Sequence, residues 1–360
     1  MSKDSSCLFS SDYCEYPFWW ERTPRPRAES AQLPETVDVL IVGSGYTGLC
    51  AALQTARGGR ATLVIDSAEP GWGCSSRNGG QVSTGIKPDF ASLERQFGQE
   101  TAFEVHREGQ RALSWIGDFI EVEEIDCDYR VCGRFFGAHT PRHYDKLANK
   151  LESQPAGLEM KAFLVPRSEQ SGEIDTSFYH GGLVQCQHAA VDPAAYHQGI
   201  LHRVIESGAS VIGHTRATSI ERNRDSTGFV VDTDRGRVRA GDVIVATSGY
   251  TSRLTPWHQR RVFPIGTYMI ATEDLGETVA RSLIPSNRMI VDTRRIVVYY
   301  RLSPDGRRIL FGGRVSLNET NPRISAPRLH DHMTTIFPQL QEAKVSHSWM
   351  GFVGWTFQHM

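Results

Sequence analysis

The sequence predicts an α/β fold in which a parallel βαβ unit is interleaved with a second part made of antiparallel sheet and helices. Three observations predict it. Residues 37–42 form a continuous apolar, β-branched run, as a strand buried on both faces requires. A glycine-rich turn, Gly43-Ser44-Gly45-Tyr46-Thr47-Gly48, follows at once and opens a stretch of helical spacing. From 264 to 315 the chain is strand-rich, with strong runs at 296–302 and 309–312.

A chain of 360 residues can bury a substantial core and form two interleaved domains rather than one. A hydrophobic content of 39% and a formal net charge of −2 describe an ordinary globular protein. That balance points to neither nucleic acid nor an anionic membrane as a partner. No apolar run approaches the roughly 20 residues needed to span a bilayer. Residues 1–30 lack the apolar centre of a secretion signal. Seven cysteines lie dispersed, and Cys127 and Cys132 match neither a metal nor a redox spacing. The expectation is reduced thiols in a cytoplasmic protein with no metal site.

The elements follow in order. Residues 1–36 are polar and proline-rich, with an aromatic knot at Tyr16, Phe18, Trp19 and Trp20 that should pin an extended segment to the surface. Residues 37–90 hold the βαβ unit: the strand 37–42, a helix over 47–57 ended by Gly58-Gly59, and a second buried strand over 61–65. Strands joined by so short a helical crossover pair in parallel. Residues 91–190 read as a helical part of a substrate domain, with helices over 91–97 and 102–120. Residues 191–262 return to the nucleotide-binding part. There Asp192 caps a helix, Pro193 takes its first position, and Gly208 stops it. Short strands follow at 210–212, 218–221, 229–232 and 243–246, with a hairpin turn at Asp234-Arg235-Gly236. Residues 263–340 supply the sheet of the substrate domain, and 341–360 begin a last segment of the nucleotide-binding domain.

Three segments carry chemistry. In the first, Gly43 permits the tight turn, Gly45 lets the backbone approach a pyrophosphate at a helix N-terminus, and Gly48 lets helix and sheet pack closely. The carboxylate of Asp66, closing the next strand, suits a ribose. It fits FAD or NAD, rejects the extra phosphate of NADP, and does not separate the first two. The second segment runs from Gly71 through Trp72-Gly73-Cys74-Ser75-Ser76-Arg77-Asn78-Gly79-Gly80 to Gln81 and lies beside the bound dinucleotide. Its glycines at 79 and 80 let main-chain N–H groups reach a flat ring or a phosphate, and Arg77 can offset pyrophosphate charge. Taken alone it would read as a solvent-facing turn. The third, Asp242 to Tyr250, is a buried strand that ends in small residues at Gly249, where a ligand can cross the sheet edge. An ordinary core strand ending in a turn would look the same.

Together these segments resemble the FAD-dependent oxidoreductases of the D-amino-acid oxidase (DAO) superfamily, and within it the gamma-glutamylputrescine oxidase group. The carrying residues are 43–48, 73–80, Asp192-Pro193, 246–250, Phe311-Gly312-Gly313-Arg314 and 349–356. The resemblance implies a Rossmann-like FAD-binding domain of glutathione-reductase type with an antiparallel substrate domain. It places Gly43, Ser44, Gly45 and Gly48 on the pyrophosphate and Asp66 on the adenosine ribose. It places Ser75, Ser76, Arg77, Asn78, Gly79 and Gly80 along the ribityl chain and flavin ring, and Ala217 at the adenine. It implies oxidation of a small-molecule amine or amino acid by hydride transfer to FAD, with dioxygen reoxidising the flavin to give peroxide.

Alternation puts Tyr299 and Arg301 on one face of their strand, where an Arg–Tyr pair can fork a substrate carboxylate; a strand arginine beside Asp305 and Arg307 can equally point to solvent. The chain departs from the family pattern at Cys74, Ser76 and Gln358, and it ends at Met360, where relatives continue into a further strand and helix. On that pattern it reads as truncated. Two other readings therefore stand beside the amine oxidase: an FAD-dependent dehydrogenase using a non-oxygen acceptor, and an inactive remnant.

Overall fold

The computed structural model describes residues 8–26, 31–223, 227–295, 297–314 and 320–356, so Gln358 and Met360 lie outside the described residues. Strand β1 (Phe9–Cys14) and the short helix α1 (Trp19–Arg22) precede the βαβ unit. That unit is β2 (Thr36–Val42), α2 (Tyr46–Arg57) and β3 (Thr62–Ile65). After β4 (Gln81–Val82) come α3 (Phe90–Phe97) and the long α4 (Gln99–Val122). Next are β5 (Arg134–Gly137), α5 (Pro141–Glu152), β6 (Ala162–Val165), β7 (Gly182–Gln185) and β8 (Ala189–Ala190). The chain continues through α6 (Pro193–Glu206), β9 (Ser210–Ile212), β10 (Ala217–Arg222), β11 (Phe229–Thr233) and β12 (Gly236–Val245). It ends with α7 (Pro256–Gln259), β13 (Val262–Thr272), α8 (Glu277–Leu283), β14 (Met289–Asp292), β15 (Val298–Leu302), β16 (Ile309–Gly313), α9 (Pro322–Ile336) and β17 (Val345–Thr356).

Two sheets organise these elements. A six-stranded sheet has the order β10-β11-β12-β2-β3-β9, and a nine-stranded one the order β1-β17-β13-β16-β15-β14-β5-β7-β6. In the first, β12, β2, β3 and β9 run parallel, while β10 and β11 form the antiparallel extension. The alternation of β2 explains its continuous apolar run. Val39 and Ile41 pack against α2 and α6 through Leu49, Leu53, Ile200 and Val204, while Leu40 and Val42 bury the opposite face with Leu63, Ile65 and Val231. Both faces are covered, as a parallel sheet requires.

Asp192 caps α6 as expected, accepting from the N–H groups of Ala194 and Ala195 at 3.0 and 3.1 Å. The nine-stranded sheet is held by the long antiparallel pair β13–β17 and covered by α9, whose Leu329, Met333 and Ile336 pack with Tyr300 and Phe311. No helix among the described residues is long and apolar enough to cross a membrane.

Three expectations change. The N-terminal segment pairs in parallel with β17 through β1, and Phe18 and Trp19 are buried among Met269, Leu310 and Trp349. The segment 341–360 is expected in the nucleotide-binding part, yet β17 belongs to the nine-stranded sheet, where eleven register pairs tie it to β13 and two to β1. Residues 91–190 contribute not only helices but β5, β6 and β7, short strands whose pairing partners are distant in sequence.

Candidate active site

The glycine turn is built by close approach. Gly43 has φ +106°, in the region that L side chains rarely adopt, and a Cβ there would lie 2.6 Å from the carbonyl oxygen of Ala246 at the end of β12. A Cβ at Gly48 would lie 1.9 Å from the carbonyl oxygen of Gly43. The two glycines therefore let α2 start directly against the ends of β2 and β12. Gly45 supplies no side-chain cap for α2, so apart from the N–H of Tyr46, which the Ser75 hydroxyl accepts, its first-turn N–H groups are left for another acceptor.

Asp66 braces this turn. One of its oxygens accepts from the N–H and the hydroxyl of Ser44 at 2.8 and 2.6 Å; the other accepts only from the N–H of Ala68, at 3.2 Å. Ser44 is fully buried, and its hydroxyl also accepts from the N–H of Gly71 at 3.1 Å. Its carbonyl accepts a 2.7 Å hydrogen bond from Nε2 of His197, which fixes that tautomer. Burial drives His197 down to about 4, so the ring is neutral. Expected at a pyrophosphate, the Ser44 side chain faces inward and anchors Asp66 instead.

Two cavities open at this place. One, of about 530 Å³, is lined by Gly43, Gly45, Asp66 and Ala217 among others. The second, of about 780 Å³, reaches the nine-stranded sheet at Thr267, Val291 and Tyr299. Tyr46, Thr47, Cys74 and Asn78 line both, so the cavities adjoin along the start of α2 and the loop after β3. Enclosure pushes the Tyr299 phenol up to about 12, which keeps it neutral at physiological pH.

Loop 74–80 is held by three indoles, a role that sequence reasoning missed. Trp19 donates to the carbonyl of Asn78 at 2.9 Å, Trp20 to the hydroxyl of Ser76 at 2.9 Å, and Trp349 to the carbonyl of Arg77 at 2.8 Å. The aromatic knot was the available signal. Ser75 lines the first cavity and accepts from the N–H of Tyr46 at 3.1 Å. Asn78 accepts from the N–H of Gly80 at 2.9 Å. Ser76 is buried and donates to the carbonyl of Gly71 at 2.7 Å, so it holds the loop rather than facing a ligand. Arg77 lines the second cavity, not the first, with its guanidinium between the rings of Trp20 and Trp72 and bonded to the carbonyls of Trp72 and Met350. Gly249 faces away from both cavities: a Cβ there would lie 2.9 Å from the N–H nitrogen of Gly354, so the glycine makes room for β17.

Arg301 lies away from both cavities. Tyr299 and Arg301 do share a face: a Cβ at Gly79 would meet the Tyr299 ring at 2.9 Å, and one at Gly80 the Arg301 guanidinium at 2.8 Å. Arg301, however, is 1% exposed and lines neither cavity. It donates to the carbonyls of Gly80, Val191 and Leu302 at 2.9, 2.8 and 3.1 Å, stapling the loop to α6. Among the described residues, Arg134 of β5 is the cation that reaches the second cavity from the sheet; sequence reasoning passed over it because β5 is only four residues long.

The family model for FAD dependent oxidoreductases, DAO, matches residues 38–359. The chain belongs to the DAO family. FAD is thus its cofactor, and the site accommodates it: an uncapped helix start opens onto the first cavity, with a carboxylate oxygen of Asp66 still able to accept. The chain is 33% identical over 325 residues to the gamma-glutamylputrescine oxidoreductase of Escherichia coli (strain K12), covering 88% of this chain and 73% of that one. It is 30% identical over 342 residues to the probable oxidoreductase OrdL of Rhizobium meliloti (strain 1021), covering 94% and 78%. In fold this DAO-family chain matches glycine oxidase from Geobacillus kaustophilus with a TM-score of 0.72 at 18% identity, over 91% of this chain and 85% of that one. It likewise matches L-proline dehydrogenase from P. horikoshii, with a TM-score of 0.70 at 18% identity over 90% and 83%.

Proposed function

We propose that this chain oxidises a small amine or amino acid, with an action like that named for the Escherichia coli relative, and uses dioxygen as the acceptor. The observation that carries the reading is the second cavity. It adjoins the nucleotide end through the loop 74–80, and its lining includes two arginines and no carboxylate among the described residues.

The chemistry that FAD supplies when bound is acceptance of a hydride from the carbon bearing the amine, with the electrons passed on to dioxygen as peroxide. The chain's own residues do the rest. Gly43, Gly45 and the N–H groups opening α2 receive the pyrophosphate, Gly48 lets that helix approach, and Asp66 turns its less-engaged oxygen to the ribose. Ala217 lies at the adenine end. Ser75, Asn78 and Gly79 line the way to the flavin ring, while Ser44, Ser76, Gly80 and Gly249 lie behind the lining and hold the loops and strand ends that carry it. Arg77 and Arg134 make the second cavity electropositive, which disfavours an ammonium and favours the neutral amine that can release a hydride. Tyr299, neutral and pointing at Gly79, offers a hydroxyl to orient the reacting group.

The test is turnover by the FAD-loaded chain with gamma-glutamylputrescine and a panel of amino acids, following peroxide release and, separately, bleaching of an artificial electron acceptor. Peroxide in step with substrate loss is the expected result. Bleaching without peroxide would transfer the reading to a dehydrogenase, and inertness towards every amine and amino acid would overturn it.

A further inference from the structure

Arg134 stands apart from the other cavity arginine. Arg77 has its guanidinium sandwiched by two indoles and bonded to two carbonyls. Arg134 makes one hydrogen bond, from Nη2 to the side-chain oxygen of Gln185 at 3.0 Å, and its buried Nε has no partner. No carboxylate of the described residues forms an ion pair with it, although five buried or half-buried carboxylates elsewhere are taken by arginines or main-chain N–H groups. An arginine half-enclosed in a cavity with free donors and no counter-charge is an unfilled fork for an anion.

Strand register says where that fork stands. Val291 on β14 pairs with Tyr299 on β15 and with Phe136 on β5, so the three form one row across adjacent strands. Arg134 lies two residues from Phe136 on the same face. Two strand spacings and one two-residue step separate its backbone from that of Tyr299 by roughly 12 Å. Gln185, directly opposite Arg134 on β7, holds the guanidinium from the far side. Tyr299 in turn stands over Gly79, in the loop that adjoins the nucleotide end.

We propose that Arg134 anchors a carboxylate at the far end of an extended amine substrate, across the second cavity from Tyr299. The substrate class is then an amine whose anionic group is separated from the oxidised carbon by several bonds, rather than one that carries it on the adjacent carbon. This rests on the amine-oxidising reading above.

The experiment compares two amides of putrescine with the FAD-loaded full chain: the monoamide of glutaric acid, which keeps a free carboxylate, and valeramide, which replaces it with methyl. A charge-assisted fork of this kind corresponds to about 10- to 100-fold in affinity. The wild-type chain should favour the carboxylate amide in kcat/KM by about that factor. Arg134→Gln should erase the preference, lowering kcat/KM for the carboxylate amide by that factor beyond any change shared with the valeramide, and Arg134→Lys, which keeps the charge but loses the fork, should retain part of it. Equal effects on both amides, or none, would overturn the assignment. Binding of N-butylglutaramate, which has no amine to oxidise, is measured in parallel by titration calorimetry. Weakening by about 10- to 100-fold in Arg134→Gln supports the anchor, and unchanged binding refutes it. If no amine is oxidised at all, the amine-oxidising reading fails while the calorimetry still decides Arg134. Should Arg134→Gln lose its FAD, the same comparison is read from Arg134→Lys.

Discussion

Replacing Gly48 by alanine tests the closest contact in the nucleotide site. The new Cβ would lie 1.9 Å from the carbonyl oxygen of Gly43, 1.5 Å short of the 3.4 Å at which ordinary contact begins. The obstacle is main chain, so no rotamer change relieves it, and the start of α2 must move away from the ends of β2 and β12. Overpacking of this kind costs about 3 kcal/mol at the upper end of its usual range. The better helix propensity of alanine returns about 1 kcal/mol. The net, about 2 kcal/mol, falls mainly on the cofactor-bound state, because the free turn can relax into the first cavity and the occupied one cannot. That corresponds to about a 30-fold rise in the dissociation constant for FAD. Quenching of FAD fluorescence on titration with the chain measures it directly. Gly172→Ala is the control, since nothing lies within 4 Å of its Cβ and its φ is ordinary. If Gly48→Ala binds FAD as tightly as the control, the close-approach argument for this turn is wrong.

Three further outcomes are expected. Asp66→Asn puts a donor against the N–H of Ser44 and weakens FAD binding by about 10- to 100-fold in the same titration, whereas an unchanged constant would remove Asp66 from the ribose. Arg301→Met leaves carbonyls of the buried staple without their cation and lowers unfolding free energy in urea by about 3 kcal/mol, with substrate KM unchanged; a raised KM at full stability would return Arg301 to the substrate. Burial holds His188 at about 3 and His197 at about 4, both below the ordinary 6.5, so the unfolded chain binds more protons between those values and 6.5. Stability is therefore complete above pH 6.5 and falls as pH drops, by about 2 kcal/mol per histidine at pH 5. The gap between urea midpoints at pH 7.5 and 5 should narrow by about half in either His188→Gln or His197→Gln, and a wild-type slope in both variants would refute the account.

Much of the nucleotide end was legible in the sequence because its determinants are local. A doubly buried strand, two glycines that only a close approach explains, and an acid at the end of the next strand are fixed by spacing along the chain. Those features place 43–48 and Asp66 together whatever the rest of the molecule does. The same holds for Asp192 and Pro193, whose cap geometry involves only the next three residues.

What a side chain does within that frame was decided by tertiary structure. Alternation correctly put Tyr299 and Arg301 on one face, yet one reaches a cavity and the other is sealed under Gly80 and Val191, which arrive from segments more than a hundred residues away. Arg134 gained its open position from strand neighbours at Met289 and Gln185, partners that no local pattern specifies. Ser44 and Ser76 turned inward because Asp66, Gly71 and Trp20 offered hydrogen bonds there. Spacing along the chain determines which backbone can approach a ligand. Which charges are left unpaired to meet one depends on register between distant strands, and only the folded chain sets it.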